Sequence, residues 1–96
     1  MPYYITLGKW TEQGIRNVKD SPKRAADARK WAEQHGGKLQ VYYTFGQYDF
    51  VAMGEMPNDE TALEFALTIG SQGNARTTTL KAWSSDDGAK VIAKLK

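Results

Sequence analysis

An α+β fold built on one antiparallel sheet is what this sequence predicts, from three observations. Several segments alternate side-chain character with a period of two, as strands do. Two others repeat apolar residues at helical spacing between recognisable start and stop signals. Their order is strand, helix, strand, strand, helix, strand, the split-βαβ or ferredoxin-like pattern, in which both helices lie on a single face of a four-stranded sheet.

The elements follow in order. Tyr3 to Trp10 reads as the first strand, with Tyr3, Ile5 and Leu7 on one side and Tyr4, Thr6, Gly8 and Trp10 on the other. Thr11 to Asp20 is polar and interrupted by Gly14. Ser21-Pro22 then supplies a helix cap and a proline at the first helical position, and the helix runs to about His35. It buries Ala25, Ala28, Trp31 and Ala32, and Gly36-Gly37 ends it. Leu39 to Phe45 alternates again, and a hairpin through Gly46 leads to a third strand, Tyr48 to Met56. Pro57-Asn58 stops that strand and caps a second helix, whose acidic Asp59 and Glu60 suit the positive end of the helix dipole. Its buried stripe is Ala62, Phe65, Ala66 and Ile69, and Gly70 to Gly73 closes it. Arg76 to Trp83 is the fourth strand by its threonine, leucine and aromatic content, and Asp86 to Leu95 can form a short terminal helix.

Composition bounds the function. A chain of 96 residues, 41% hydrophobic and 25% charged, is expected to form one domain over residues 1–96. It has no cysteine, hence no disulfide, thiolate nucleophile or zinc–thiolate site. No signal peptide or membrane span is visible, so a cytoplasmic protein without membrane contact is the expectation. The net charge of +2 is unevenly spread. Residues 49–72 hold five acids and no base, whereas residues 1–38 hold eight bases against four acids. An even solvated surface accounts for this, and so does complementarity between copies of the chain.

Right-handed crossovers place the first strand between the third and fourth, which gathers Lys9, Trp10, Tyr48, Asp49 and Arg76 at one end of the sheet. Asp49 shares parity with Val51 and Met53. Ile5, Leu7, Leu39 and Val41 mark the helix-facing side, so Asp49 points that way, partly buried, and needs Lys9, Arg76 or backbone N–H groups of the neighbouring loops as donors. The opposite side would then carry Tyr4, Trp10, Tyr42, Phe50 and Trp83 among Thr6, Thr44, Thr77 and Thr79, an aromatic area that calls for a cover. A second copy packed face to face is the economical one.

Candidate ligand-binding residues are therefore Lys9, Trp10, Gly14, Arg16, Gly46, Tyr48, Asp49 and Arg76. Asp49 and Arg76 would orient polar groups, Trp10 and Tyr48 would form walls, and Gly14 and Gly46 would admit close backbone approach. Asp49 can equally be a carboxylate that locks loops, or a general base beside Tyr48. The basic run Arg16, Lys19, Lys23 and Arg24 opposes the dipole of the first helix, which a bound anion would explain. Surface pairs at i, i+4 spacing, Arg16 with Asp20, Asp20 with Arg24 and Lys23 with Asp27, explain it too. His35 is the only histidine and suits a helix C-terminus better than a metal site, so no metal or cofactor is expected. Nucleic acid is not expected either. Tyr48 to Met53 departs from the RNA-recognition strand motif at Asp49 and Met53, and an acidic segment follows where phosphate would lie.

The segments Trp10-Thr11-Glu12-Gln13-Gly14-Ile15-Arg16-Asn17, Asp20-Ser21-Pro22-Lys23-Arg24, Gly46-Gln47-Tyr48-Asp49 and Gly73-Asn74-Ala75-Arg76-Thr77-Thr78-Thr79 resemble the GYD-domain proteins. The resemblance spans residues 3–83 and implies a bacterial protein of the dimeric α/β-barrel superfamily, in which ferredoxin-like units pair through their sheets. It implies no particular reaction. Three functions remain open: a homo-oligomeric protein that binds a small ligand, a cofactor-free monooxygenase- or isomerase-type enzyme, and a structural assembly protein without catalysis.

Overall fold

The computed structural model describes residues 1–96. In chain order the elements are β1 (Tyr3–Trp10), α1 (Glu12–Arg16), a 3-10 turn (Val18–Asp20), α2 (Ser21–Gln34), β2 (Lys38–Tyr43), β3 (Phe50–Glu55), α3 (Asp59–Ser71), β4 (Ala75–Ala82) and α4 (Ser85–Ile92). The strands form one antiparallel sheet in the order β2-β3-β1-β4. This is the ferredoxin-like arrangement expected, with α2 over β2 and α3 over β4 on the same face. No helix is long and apolar enough to cross a membrane.

Local signals explain most boundaries. Asn58 caps α3 by accepting from the Thr61 N–H at 2.8 Å, and Asp59 and Glu60 follow in the first turn. Gly36, at φ +82°, ends α2, and the Gly37 N–H returns to the Ala32 carbonyl at 2.8 Å. His35 occupies the C-cap, stacked on Trp31 at 3.7 Å, with Nδ1 2.7 Å from the Trp31 carbonyl. Some expectations need correction. Ser21 is the first helical residue rather than a cap, and its hydroxyl pairs with that of Tyr43 at 2.9 Å. β2 stops at Tyr43, leaving Phe45 in the hairpin, and β3 begins at Phe50, leaving Tyr48 in it too. The polar segment after β1 contains α1, which Thr11 caps by accepting from the Gly14 N–H at 3.0 Å.

The main correction concerns the sheet faces. Tyr4, Thr6 and Gly8 of β1 are buried toward the helices, and Ile5 and Leu7 are on the open side. The register carries this across the sheet. Tyr4 lies opposite Gly54, Thr6 opposite Ala52 and Gly8 opposite Phe50, while Ile5 lies opposite Met53 and Leu7 opposite Val51. Trp10, Phe50, Thr77 and Thr79 therefore belong to the helix side. Leu39 and Val41 stay there, and Tyr42 stays on the open side. Asp49 precedes β3, where its carboxylate accepts from the main-chain N–H of Trp10, and Trp83 lies beyond the end of β4, exposed.

Volume explains the choice. Alternation ranks the sides of β1 and β3 the wrong way, because Ile5, Leu7, Val51 and Met53 on the open side are more apolar than Thr6, Gly8, Ala52 and Gly54 on the helix side. The helices bring Trp31 and Phe65, whose rings meet at 5.5 Å, and these bulky groups require small partners on the sheet. Thr6 and Ala52 supply them, while Gly8 makes room for the ring of Phe50 and Gly54 for the β2 backbone at Lys38. The buried core is Tyr4, Ala32, Met56, Ala62 and Phe65, with Ala28, Trp31, Leu39 and Ile69 against it. Burying an aromatic such as Phe65 contributes about 1.5–3 kcal/mol. Ile5, Leu7, Val51, Met53 and the exposed Tyr42 and Leu80 are left as an apolar open face. α4 stands off the body without substantial packing on any other element, and its Val91 and Ile92 are exposed, as is Leu95 beyond it.

Tyr4 ties this core to a polar anchor. Its hydroxyl donates to Asp59, and Lys81 holds the same carboxylate at 2.9 Å. Burial, then the Asp59 hydrogen bond and its charge, push the Tyr4 phenol up to about 12, and the bonds from Tyr4 and Lys81 hold the Asp59 carboxyl below its usual range. Above pH 10 an unfolded chain releases this proton while the folded one retains it, so stability falls as pH rises from 10 toward 12. Asp59 acts at the other limit: its contribution is present above the usual carboxylate range and is lost as pH falls through its depressed folded value. Urea unfolding at a series of pH values is expected to show both limbs. Tyr4→Phe should be less stable at neutral pH and show a shallower alkaline fall. An unchanged alkaline limb would assign that limb to other tyrosines.

Candidate functional site

The sheet is unequal at one end, and that inequality creates the site. Pairing of β1 with β3 ends at Gly8 and Phe50, but pairing with β4 continues to Trp10 and Ala75. The last residues of β1 thus have no strand on their β3 side. Asp49 supplies the missing partners. Its main-chain N–H donates to the Gly8 carbonyl at 2.8 Å, and its carboxylate Oδ2 accepts from the Trp10 N–H at 2.8 Å. The side chain takes the place of a ladder carbonyl, which satisfies a half-buried donor. Asp49 also closes the hairpin. Its carbonyl accepts from the Thr44 N–H at 2.9 Å, and the Thr44 hydroxyl donates to the Tyr48 carbonyl at 2.6 Å.

The loops on the β4 side are joined in a similar way. The Thr11 N–H donates to the Asn74 carbonyl at 3.1 Å and its hydroxyl to the Gly73 carbonyl at 2.6 Å. The Gln13 amide reaches the Gln72 carbonyl at 3.1 Å and Asn74 Oδ1 at 3.0 Å. Gly14 is buried here, and a Cβ on it would stand 1.8 Å from the Asn74 carbonyl oxygen, so only glycine fits without moving backbone.

The structure brings most of the sequence-nominated residues to this end. Lys9 Nζ lies 5.5 Å from the centre of the Tyr48 ring. Arg76 is directly opposite Lys9 on the neighbouring strand. Both cations are exposed and neither forms an ion pair, although like charges at directly opposed positions repel. Trp10 turns to the helix side, its ring 5.0 Å from that of Phe50. Gly46 is at the hairpin turn with φ +113°. Arg16 is not gathered in. It pairs with Glu12 at 3.8 Å rather than with Asp20, and of the other spacings only Lys23 with Asp27, at 3.7 Å, forms.

The sequence did not single out some residues that the structure makes prominent. Phe45 is 99% exposed at the hairpin tip, next to the exposed Tyr42 and Tyr43. On the helix side a cavity of about 70 Å³ lies between α2, α3 and the sheet, lined by Trp10, Tyr43, Phe50, Arg24, Asn74 and mainly apolar neighbours. Arg24, already notable in the basic run, also stands four and seven residues before Ala28 and Trp31, in the helix's own buried stripe, a signal that separates it from the other three cations.

The fold and this sheet end define a class: small ferredoxin-like proteins whose loops are locked by one aspartate and a Thr–Gln–Gly segment. Within it, the chain belongs to the GYD family, whose GYD domain matches residues 4–92. The chain is also 32% identical, over the full length of both chains, to a Thermus thermophilus protein named "Glutamine synthetase and cystathionine beta-lyase binding protein". No solved structure gives a significant match.

Asp49→Ala removes a bond to a charged acceptor and is expected to lower unfolding free energy by about 1.5–3 kcal/mol. Asp49→Asn keeps an oxygen acceptor and should lose less than half of that. Gly14→Ala forces the Asn74 backbone aside and should lose about 1–3 kcal/mol. Urea unfolding checks all three, and an Asp49→Ala variant as stable as the parent would remove the locking role.

Proposed function

We propose that this chain is a bacterial, cytoplasmic, homo-oligomeric binding protein that docks on a metabolic enzyme through the sheet end just described. The observation that carries this reading is Phe45, an aromatic side chain almost wholly in water at the tip of a hairpin held rigid by Asp49 and Thr44. Aromatic anchors seated in a partner's pocket dominate binding at most protein interfaces. Lys9 and Arg76 lie at the same end without carboxylate partners and suit an acidic rim around such a pocket. The relative named as binding two enzymes supports the same reading, since it aligns with this chain end to end.

Asp49 fits this better than it fits a general base, because its carboxylate already accepts from the Trp10 N–H. Self-association uses a different surface. The open face of Ile5, Leu7, Val51, Met53, Tyr42 and Leu80 is apolar and has no helix over it, so a second copy packs there sheet to sheet.

Immobilised glutamine synthetase and cystathionine β-lyase from the same organism provide the direct test. At least one is expected to bind the chain. Phe45→Ala should weaken binding tenfold or more, and the double change Lys9→Ala, Arg76→Ala should weaken it and flatten its salt dependence. Failure to bind either enzyme, or full binding by Phe45→Ala, would overturn the docking proposal. Sedimentation at micromolar concentration should return a dimer or larger species, and Met53→Asp should shift it to monomer. A monomeric parent would remove the sheet-to-sheet contact.

A further inference from the structure

The cavity on the helix side holds a feature that neither the locked sheet end nor the docking surface uses. α2 and α3 meet through Trp31 and Phe65, but toward the start of α2 the side chains facing the sheet are small. Ser21, Ala25 and Ala28 leave a space of about 70 Å³ above Val41, Phe50 and Ala52. Arg24 projects into the lining. Its Nη1 donates to the Asn17 carbonyl at 3.2 Å, whereas Nη2 is buried and has no protein acceptor. A buried guanidinium N–H without an acceptor is costly, and the usual remedy is a carboxylate. No aspartate or glutamate lines the cavity. The nearest by sequence, Asp27, pairs outward with Lys23 at 3.7 Å.

We infer that this cavity binds a short-chain aliphatic monocarboxylate, with its carboxylate on Arg24 and its hydrocarbon tail against Trp10, Val41, Phe50 and Phe65. Three features set the ligand's chemistry. The uncompensated charge is a single cation, so one negative charge suffices. The other polar groups at the rim can donate: Asn74 accepts through Oδ1 from Gln13, leaving its amide N–H groups free, and one of the two hydroxyl protons of the Ser21–Tyr43 pair is unused. Most of the remaining lining is apolar, which selects an unsubstituted tail. Size follows from volume. A dry apolar cavity of about 150 Å³ takes benzene, roughly 25 Å³ per carbon, so the cavity of about 70 Å³ admits a tail of about three carbons, with the carboxylate on Arg24 at the side that opens to solvent. Butanoate and 2-methylpropanoate have such a tail. An amino acid of similar size does not suit the site, because no carboxylate lines the cavity to receive its ammonium group and Asp27, in the adjoining groove, is paired with Lys23.

A groove between α2 and α3 shares Arg24, Ala28, Phe65, Ile69, Gln72 and Asn74 with the cavity and gives it a route to solvent. The carboxylate would therefore enter between helices, away from Phe45 and from the open sheet face. The basic run that leads into the first turn of α2 gains one specific member by this reading: Arg24 faces an anion, while Lys23 is occupied by Asp27.

Isothermal titration of the full chain with sodium butanoate tests the inference without any partner protein. Saturable binding is expected, at least tenfold tighter than for butanamide, which has the same shape without the charge, and tenfold tighter than for 2-aminobutanoate. Arg24→Met removes the cation and leaves a side chain of similar volume, so the variant should fold, show an unchanged circular dichroism spectrum and lose butanoate binding tenfold or more. Chemical-shift changes on the parent should centre on Trp10, Phe50 and Phe65. Equal binding of butanoate and butanamide, unaltered binding by folded Arg24→Met, or no saturable binding at tens of millimolar would each overturn it. If Arg24→Met fails to fold, the comparison of the three ligands on the parent still decides.

Discussion

The requirement that bulky helix side chains meet small sheet side chains governs this molecule. Trp31 and Phe65 project from α2 and α3 toward the sheet. Thr6 and Ala52 let them approach, the ring of Phe50 occupies the space over Gly8, and the β2 backbone at Lys38 occupies that over Gly54. That single match decides which side of the sheet is inside. It also decides what is left outside, a band of branched and thioether side chains with no helix over it. Where the match lapses, near the start of α2, a hollow remains instead of a core.

Order and pairing of the elements were legible in the sequence, because caps, glycine stops and alternation act locally and each has a short-range cause. Asn58, Gly36 and the spacing of Ala62, Phe65 and Ile69 needed no tertiary information. Alternation misreads the inward side of the sheet, since Ile5 and Leu7 are more apolar than Tyr4, Thr6 and Gly8 and yet lie on the open side. The inward side becomes legible only when residue volumes on helices and strands are compared together. Thr11 as a cap was visible in principle, but a five-residue helix gives too few turns for periodicity to register.

The candidate site was legible as a location and not as chemistry. Lys9, Tyr48, Asp49 and Arg76 do share one end of the sheet, as topology required. What escaped the sequence was the bonding. An aspartate that replaces a strand carbonyl looks, in one dimension, the same as one that waits for a substrate. Arg24 posed the opposite difficulty, because a cation in a basic, solvated-looking run concealed one buried nitrogen among apolar neighbours.

The hairpin between Thr44 and Asp49 is fixed at its base by bonds that involve only the main chain, the threonine hydroxyl and the aspartate. Phe45, Gly46 and Gln47 lie outside that frame and are exposed to solvent. The bonds that hold the hairpin thus make no use of the Phe45 and Gln47 side chains. A chain that kept this frame and the glycine at 46, whose φ of +113° strains any other residue, could exchange Phe45 and Gln47 while the domain beneath stays the same.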